Sequence, residues 1–379
     1  MHIFTAILGI VIVLSVLLDA FETIVLPRKV QRAFRLTSWF YRHTWVPWVR
    51  LANLIPSKLR ENFLGYFGPF SLILLLVFWA MGLILGFALL QFGVGEHVRL
   101  GNEPITFGIL LYHSGETFFT LGYGDITPVS PLARALAVME AGMGFAFLGV
   151  VVGYLPVVYS SFSTREVEIS LLDSRAGSPP TAGELLARLG CCPDPIVLDN
   201  IFRDWERWSA DLLASHISYP VLCFFRSQHS NQSWLAALTV MLDVTSLVLA
   251  GIDGIQKEQA RLTFAMARHA VVDLTQVVNA SYDPHRGERL TNEGLEALRK
   301  HLAEAGMRLQ QDDTADQKLR KLRSLYEPYS EALAQRLLLS VPPWLRVEIK
   351  KDNWQSGPWD RVIQAKGLGD KVRVIDDHF

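Results

Sequence analysis

Between two long apolar runs, Phe67 to Phe92 and about Leu132 to Val158, lies a third, Ile105 to Phe119, that is too short to cross a bilayer. It leads directly into Thr120-Leu121-Gly122-Tyr123-Gly124-Asp125. A membrane core holds no water, so backbone outside a helix or closed barrel survives there only if protein buries it or it lines an aqueous path. The short run is therefore expected to enter the membrane as a re-entrant helix, with residues 120–125 at its inner end. Gly122 and Gly124 can adopt backbone angles that residues with a Cβ resist, which lets consecutive carbonyls point one way.

In this setting the six residues resemble the selectivity filter of the pore-loop potassium channels. A ring of carbonyl oxygens that replaces an ion's hydration shell is what such a filter must supply. The resemblance implies K+ sites formed by Thr120, Leu121, Gly122 and Tyr123, with Gly124 as the second filter glycine, the Thr120 hydroxyl at the inner end and the Tyr123 ring wedged outward into aromatic packing. It also implies four chains about one axis, a homotetramer, because each chain brings one filter. Leu121 stands where the family usually has valine; the ion meets the carbonyl, so selectivity is expected to persist. Glu116 precedes Asp125 by nine residues. In the family a glutamate there sits behind the filter near the aspartate, and the pair is expected to share a proton or a bridging water. The resemblance covers roughly Phe67 to Tyr159.

The run from Leu132 to Val158 is expected to line the pore. Glu140 interrupts it, and a carboxylate at that depth needs water or a partner. Two roles stay open: a hydrogen bond to the base of the pore helix, or control of cation occupancy from the cavity. Gly144 resembles the family's inner-helix hinge, with Gly142 close enough to share that work. Gly149 and Gly153 suit close helix packing equally well. Pro156 is expected to kink the inner end and shape a gate, with Tyr154 and Tyr159 nearby.

Around this module the chain reads as an all-α membrane protein: three transmembrane helices plus a re-entrant pore helix and filter, with a cytosolic α-helical bundle. The expected divisions are an N-terminal transmembrane helix (1–27), a basic aromatic interfacial segment (28–64), the pore module (65–162), a linker (163–181), a cytosolic helical domain (182–340) and a tail (341–379). Residues 1–27 lack the basic start and small-x-small site of a cleaved signal. Asp19 and Glu22 share a helix face and are expected to anchor the helix or pair with the basic segment. From Arg28 to Arg60 positive charge alternates with Trp39, Phe40, Tyr41, Trp45 and Trp48 and no acid. That composition suits the inner headgroup layer and anionic lipids. Pro47 and Pro56 are expected to segment it. The basic loop places the segment in the cytoplasm, the N-terminus outside and the C-terminal domain inside the cell (inner) membrane.

A net charge of −1 gives no argument for nucleic acid. Cys191, Cys192 and Cys223 read as reduced thiols. Helices are expected over 182–189, 196–216, 233–252, 256–280, 291–309 and 315–339. Trp234 to Ile252 is apolar enough for a fourth span, but Asp243 near its centre favours a buried helix of the bundle. No nucleophile, metal cluster or phosphate loop emerges after residue 163, so an enzyme and a bound cofactor are not expected, K+ being only the permeant ion. The leading expectation is a potassium-selective channel whose C-terminal domain gates it or binds a cytosolic ligand or partner. A nonselective cation channel and a membrane-anchored scaffold are the alternatives.

Overall fold

The structure is a computed structural model and describes residues 2–26, 35–95, 98–99, 104–190, 195–229, 231–252, 254–283 and 288–346. Arg28, Lys29, Arg32, Cys191, Cys192 and the tail beyond Arg346 lie outside these residues. Two compact units emerge: Met1–Ser161 with Ile217–Phe225, and Phe162–His216 with Arg226–Phe379.

The first unit begins with α1 (His2–Ala20), which ends in a π turn, Phe21–Val25, and continues through α2 (Leu36–Ala52), α3 (Ser57–Gly65) and α4 (Phe67–Val94). Next come β1 (Val98–Arg99), α5 (Phe107–Phe118), β2 (Thr127–Pro128) and the long α6 (Pro131–Ala176). Glycines bring α1 and α4 together: a Cβ on Gly9 would lie 2.6 Å from the Gly86 carbonyl, and one on Gly93 2.3 Å from the Ala6 nitrogen. Small residues permit this approach, and dispersion contacts along it hold helices together where lipid is as apolar as leucine. Asp19 fixes the end of the seam. Fully buried, it accepts from the Thr37 amide (3.0 Å), the Thr37 hydroxyl (2.6 Å) and Trp79 Nε1 (3.0 Å), so one satisfied carboxylate ties α1, α2 and α4. Glu22 meets Arg35 at 3.8 Å, the pairing expected with the basic segment. Pro56 does separate α2 from α3, but Pro47 lies inside α2. That helix is held by its buried face of Phe40, Tyr41 and Trp45, which outweighs one missing hydrogen bond. At the other end of the unit, β1 pairs with β2 antiparallel, and Val98, Leu110 and Ile126 close a small core.

α6 departs from expectation. It passes through Pro156 and Val158 without ending, and residues 163–176 of the expected linker are helical. Charged residues of this stretch are packed inside: Arg165, Glu166 and Asp173 are buried, Glu168 is half-buried, Arg165 Nη2 meets Glu166 at 2.9 Å, and Ser178 donates to Asp173.

The second unit adds α7 (Ala182–Leu189), α8 (Pro195–Ser218, its last residues in the first unit), α9 (Trp234–Gly251), α10 (Glu258–Val277), α11 (Asn292–Glu304), α12 (Asp313–Ser324) and α13 (Glu327–Leu337). Thr181, Ser233, Thr291 and Asp312 cap α7, α9, α11 and α12 through side-chain oxygens that accept amides three residues on. Two expected helices are shorter or divided. Residues 315–339 form α12 and α13 with a break at Leu325–Tyr326, where Pro328 opens the second helix and supplies no amide to a continuous one. α11 ends at Glu304, and Gly306 follows with φ of +83°.

Among the described residues four helices are long and apolar enough to cross a membrane, within His2–Val25, Leu59–Val94, Pro131–Ala176 and Trp234–Gly251. The last differs in kind. All 18 of its residues are buried, and α7, α10, α12 and α13 pack around it. It is the core of a bundle whose outer helices carry most of their charges outward, as in α12 (Asp313, Lys318, Arg320, Lys321), where Arg323 is the buried exception.

Candidate functional site

α5 positions the central stretch. Its first turn is capped by Thr106, and its buried face carries Leu110, His113, Ser114, Glu116 and Phe118. At its far end the chain leaves the helix but stays tethered, with the Thr120 amide donating to the Thr117 carbonyl (3.1 Å) and the Leu121 amide to the Glu116 carbonyl (2.8 Å). Beyond that point φ is positive at every second residue: +55° at Thr120, +58° at Gly122 and +78° at Gly124. In an ordinary strand the carbonyls alternate sides; reversing φ at alternate residues turns them toward one side. Glycine does this at little steric cost. Thr120 does not, since positive φ in a β-branched residue is an outlier that costs about 1–3 kcal/mol and persists only where surroundings impose it. Sequence reading pointed to the two glycines and missed the strain at Thr120. Phe119 through Asp125 are exposed, and Tyr123 is 70% exposed with no ring partner among the described residues.

Glu140 on α6 is wholly buried. Ser114 of α5 donates its hydroxyl to one carboxylate oxygen, and Gln91 Nε2 of α4 donates to the other at 3.2 Å. Ser114 also meets the Ile84 carbonyl at 2.7 Å. Glu140 is thereby tied to α5 through Ser114 and to α4 through Gln91. Gly144 is where α5 rests on α6: a Cβ there would lie 1.9 Å from the Phe118 carbonyl oxygen. Gly142, Gly149 and Gly153 have nothing within 4 Å of that position. They share an exposed, uncharged face with Phe145, Leu148, Val152 and Pro156.

Glu116 is buried, and its recorded partner is His113, whose Nδ1 lies 3.0 Å from Oε1. Its second oxygen is buried with no hydrogen-bond partner among the described residues. Asp125 instead accepts from the Ile126 amide at 3.1 Å and lies beside the Tyr112 hydroxyl. His113 and Tyr112 were not foreseen; helical spacing from Glu116, at i−3 and i−4, was the available signal. An apolar cavity of about 270 Å³ opens beside Phe118, Phe119 and Thr120, walled by Leu76, Met81 and Leu148.

The second unit holds a separate polar centre. Asp243 of α9 is fully buried and takes both Arg289 nitrogens, at 2.8 and 3.1 Å, and the Tyr326 hydroxyl at 2.5 Å. Arg289 also reaches Glu327 and the Pro342 carbonyl, and it and Arg323 lie over the Trp344 ring. His216 accepts from Arg165 at 3.2 Å; an arginine can only donate, so that ring nitrogen carries no proton. Burial, with the neighbouring Arg165 charge, holds the imidazole well below the ordinary histidine range. No cluster of three or more His, Cys, Asp or Glu side chains suited to a metal occurs among the described residues.

Residues 72–160 match the family described as "Ion channel". Over 218 residues the chain is 24% identical to the "Uncharacterized membrane protein YdjJ" of Bacillus subtilis (strain 168), covering 57% of this chain and 62% of that one. Over 87 residues it is 36% identical to "Protein LctB" of Geobacillus stearothermophilus, covering 20% and 64% respectively. The chain thus spans a little under two thirds of the length of each of these relatives. No solved structure matches significantly. The chain is helical, carries helices long and apolar enough to cross a membrane among the described residues, and resembles the ion-channel family over residues 72–160.

Proposed function

We propose that this chain is one subunit of a potassium-selective channel, four copies surrounding a central axis and conducting K+ passively through carbonyls of Thr120, Leu121, Gly122 and Tyr123. The observation that carries the reading is the alternation of φ at Thr120, Gly122 and Gly124 in an exposed stretch hung from the end of a short buried-face helix. The strain at Thr120 is otherwise without a purpose. In the tetramer the open ring of Tyr123 and the uncharged face of α6 meet neighbouring copies or the conduction path, and the carbonyl end of α5 favours a cation below the filter. The basic segment lies on anionic lipid of the cell's inner membrane, the N-terminus is outside, and the C-terminal unit is cytoplasmic, where it governs opening. Purified protein in liposomes tests this: K+ flux well above Na+ flux is expected, and equal permeation of the two ions would sink the selective reading.

A further inference from the structure

The nine residues Ile217–Phe225 interrupt the sequence of the second unit yet belong to the first. They carry no charge (Ile-Ser-Tyr-Pro-Val-Leu-Cys-Phe-Phe), and Val221 through Phe225 are buried. Phe224 lies among three rings: Tyr41 stacked at 5.4 Å, Trp45 at 5.1 Å and Phe67 at 5.3 Å. Phe225 covers Gly68, where a Cβ would lie 2.6 Å from its ring, and meets Tyr159 edge-on at 6.1 Å. Tyr219 packs on Tyr154 at 5.6 Å. One short segment therefore joins α2, the start of α4 and the α6 turns on either side of Pro156.

Its side of α6 matters. Tyr154 and Val158 are buried on one face of the helix, while Gly149, Gly153 and Pro156 are exposed on the opposite one. If the uncharged exposed face turns toward the axis of the proposed channel, the segment grips α6 from behind and ties it to the outer helices. We propose that Ile217–Phe225 is a latch: docked, it holds the inner end of α6 away from the axis and the path open; undocked, it lets α6 close. The latch begins in the last residues of α8 and is joined to α9 through residues 226–233, so a rearrangement of those helices reaches it through the covalent chain. This rests on the channel reading.

The test uses the full chain with Cys191→Ser and Cys192→Ser, which leaves buried Cys223 within the latch as the single thiol. Gly68→Ala displaces Phe225, and Phe224→Ala removes three ring pairs. In planar bilayers both variants are expected to lower open probability by about tenfold, a shift of the size such a loss produces, with the K+/Na+ permeability ratio and unitary conductance unchanged. Maleimide labelling of Cys223, slow in the parent, is expected to accelerate in both. Labelling that accelerates without a fall in open probability would overturn the latch, as would continued protection of Cys223 in both variants. A parent protein that conducts nothing would overturn the channel reading itself, and the gating role with it.

Discussion

The carbonyl oxygen of Phe118 rests on Gly144, at a distance that leaves no room for a Cβ on the glycine. The last turn of α5, from which residues 120–125 hang, is therefore seated on α6 by one missing side-chain atom. Gly144→Ala is expected to shift that turn and abolish selective flux, while Gly142→Ala, with open space around it, is expected to conduct. Parallel liposome flux assays on the two proteins check this, and equal loss in both would discount the seat.

Backbone angle, not side chain, is expected to govern residues 120–124. Gly122→Ala meets a φ of +58° and is expected to eliminate K+ flux, since that conformation costs an L-residue about 1–2 kcal/mol. Leu121→Val is expected to keep the K+/Na+ ratio of the parent. A Leu121→Val protein that loses discrimination would show that packing behind the carbonyls sets it.

Glu140 bridges α4, α5 and α6, so its removal should be read in stability before conduction. Glu140→Ala strands the Gln91 amide, leaves the Ser114 hydroxyl only the Ile84 carbonyl, and is expected to destabilise the protein by about 1–3 kcal/mol, with Glu140→Gln costing less. Thermal unfolding in detergent measures the difference; equal melting temperatures for the two would contradict the bridge.

In the second unit, Arg289→Ala leaves the Asp243 carboxylate buried and unpaired, at a cost of about 3–5 kcal/mol. Adding Asp243→Asn is expected to recover part of this loss. Strictly additive effects in the double variant would mean that the two residues act independently.

His216 gives a pH dependence whose sign follows from its depressed pKa. The unfolded chain takes up the proton near pH 6.5, above the folded one, so the stabilisation is complete above that pH and is lost as pH falls toward the folded value. The slope approaches about 1.4 kcal/mol per pH unit in that window. Melting temperatures of the parent at pH 7.5 and 5.5, compared with those of His216→Gln, read this; an identical drop in both would assign the effect elsewhere.

The sequence made the span–short helix–glycine stretch–span order legible because each part follows a simple period or a length set by the bilayer. Most bundle helices were legible because they are amphipathic, and α7, α9, α11 and α12 also carry a side-chain cap. What escaped depends on partners distant in the chain. Arg165 and Glu166 resemble a return to water until His216 and Ser227 are known to lie beside them. Residues 217–225 look like an ordinary connection until Tyr41, Trp45 and Phe67 surround them. Thr120 carries no local sign of its strained angle, since nothing in a threonine announces the neighbours that impose it.

α9 raises a matter of biosynthesis. Judged by its own composition, Trp234–Gly251 is a segment that a membrane insertion machinery would accept, yet its place is a dry bundle core. It leaves the ribosome before α10, α12 and α13, the helices that cover it, have been made. During that interval Asp243 alone opposes insertion, since an aspartate at a helix centre adds about 2.5–3.5 kcal/mol to the free energy of entering lipid. The residue that anchors Arg289 and Tyr326 is thus also a charge that weighs against entry of the isolated helix into lipid.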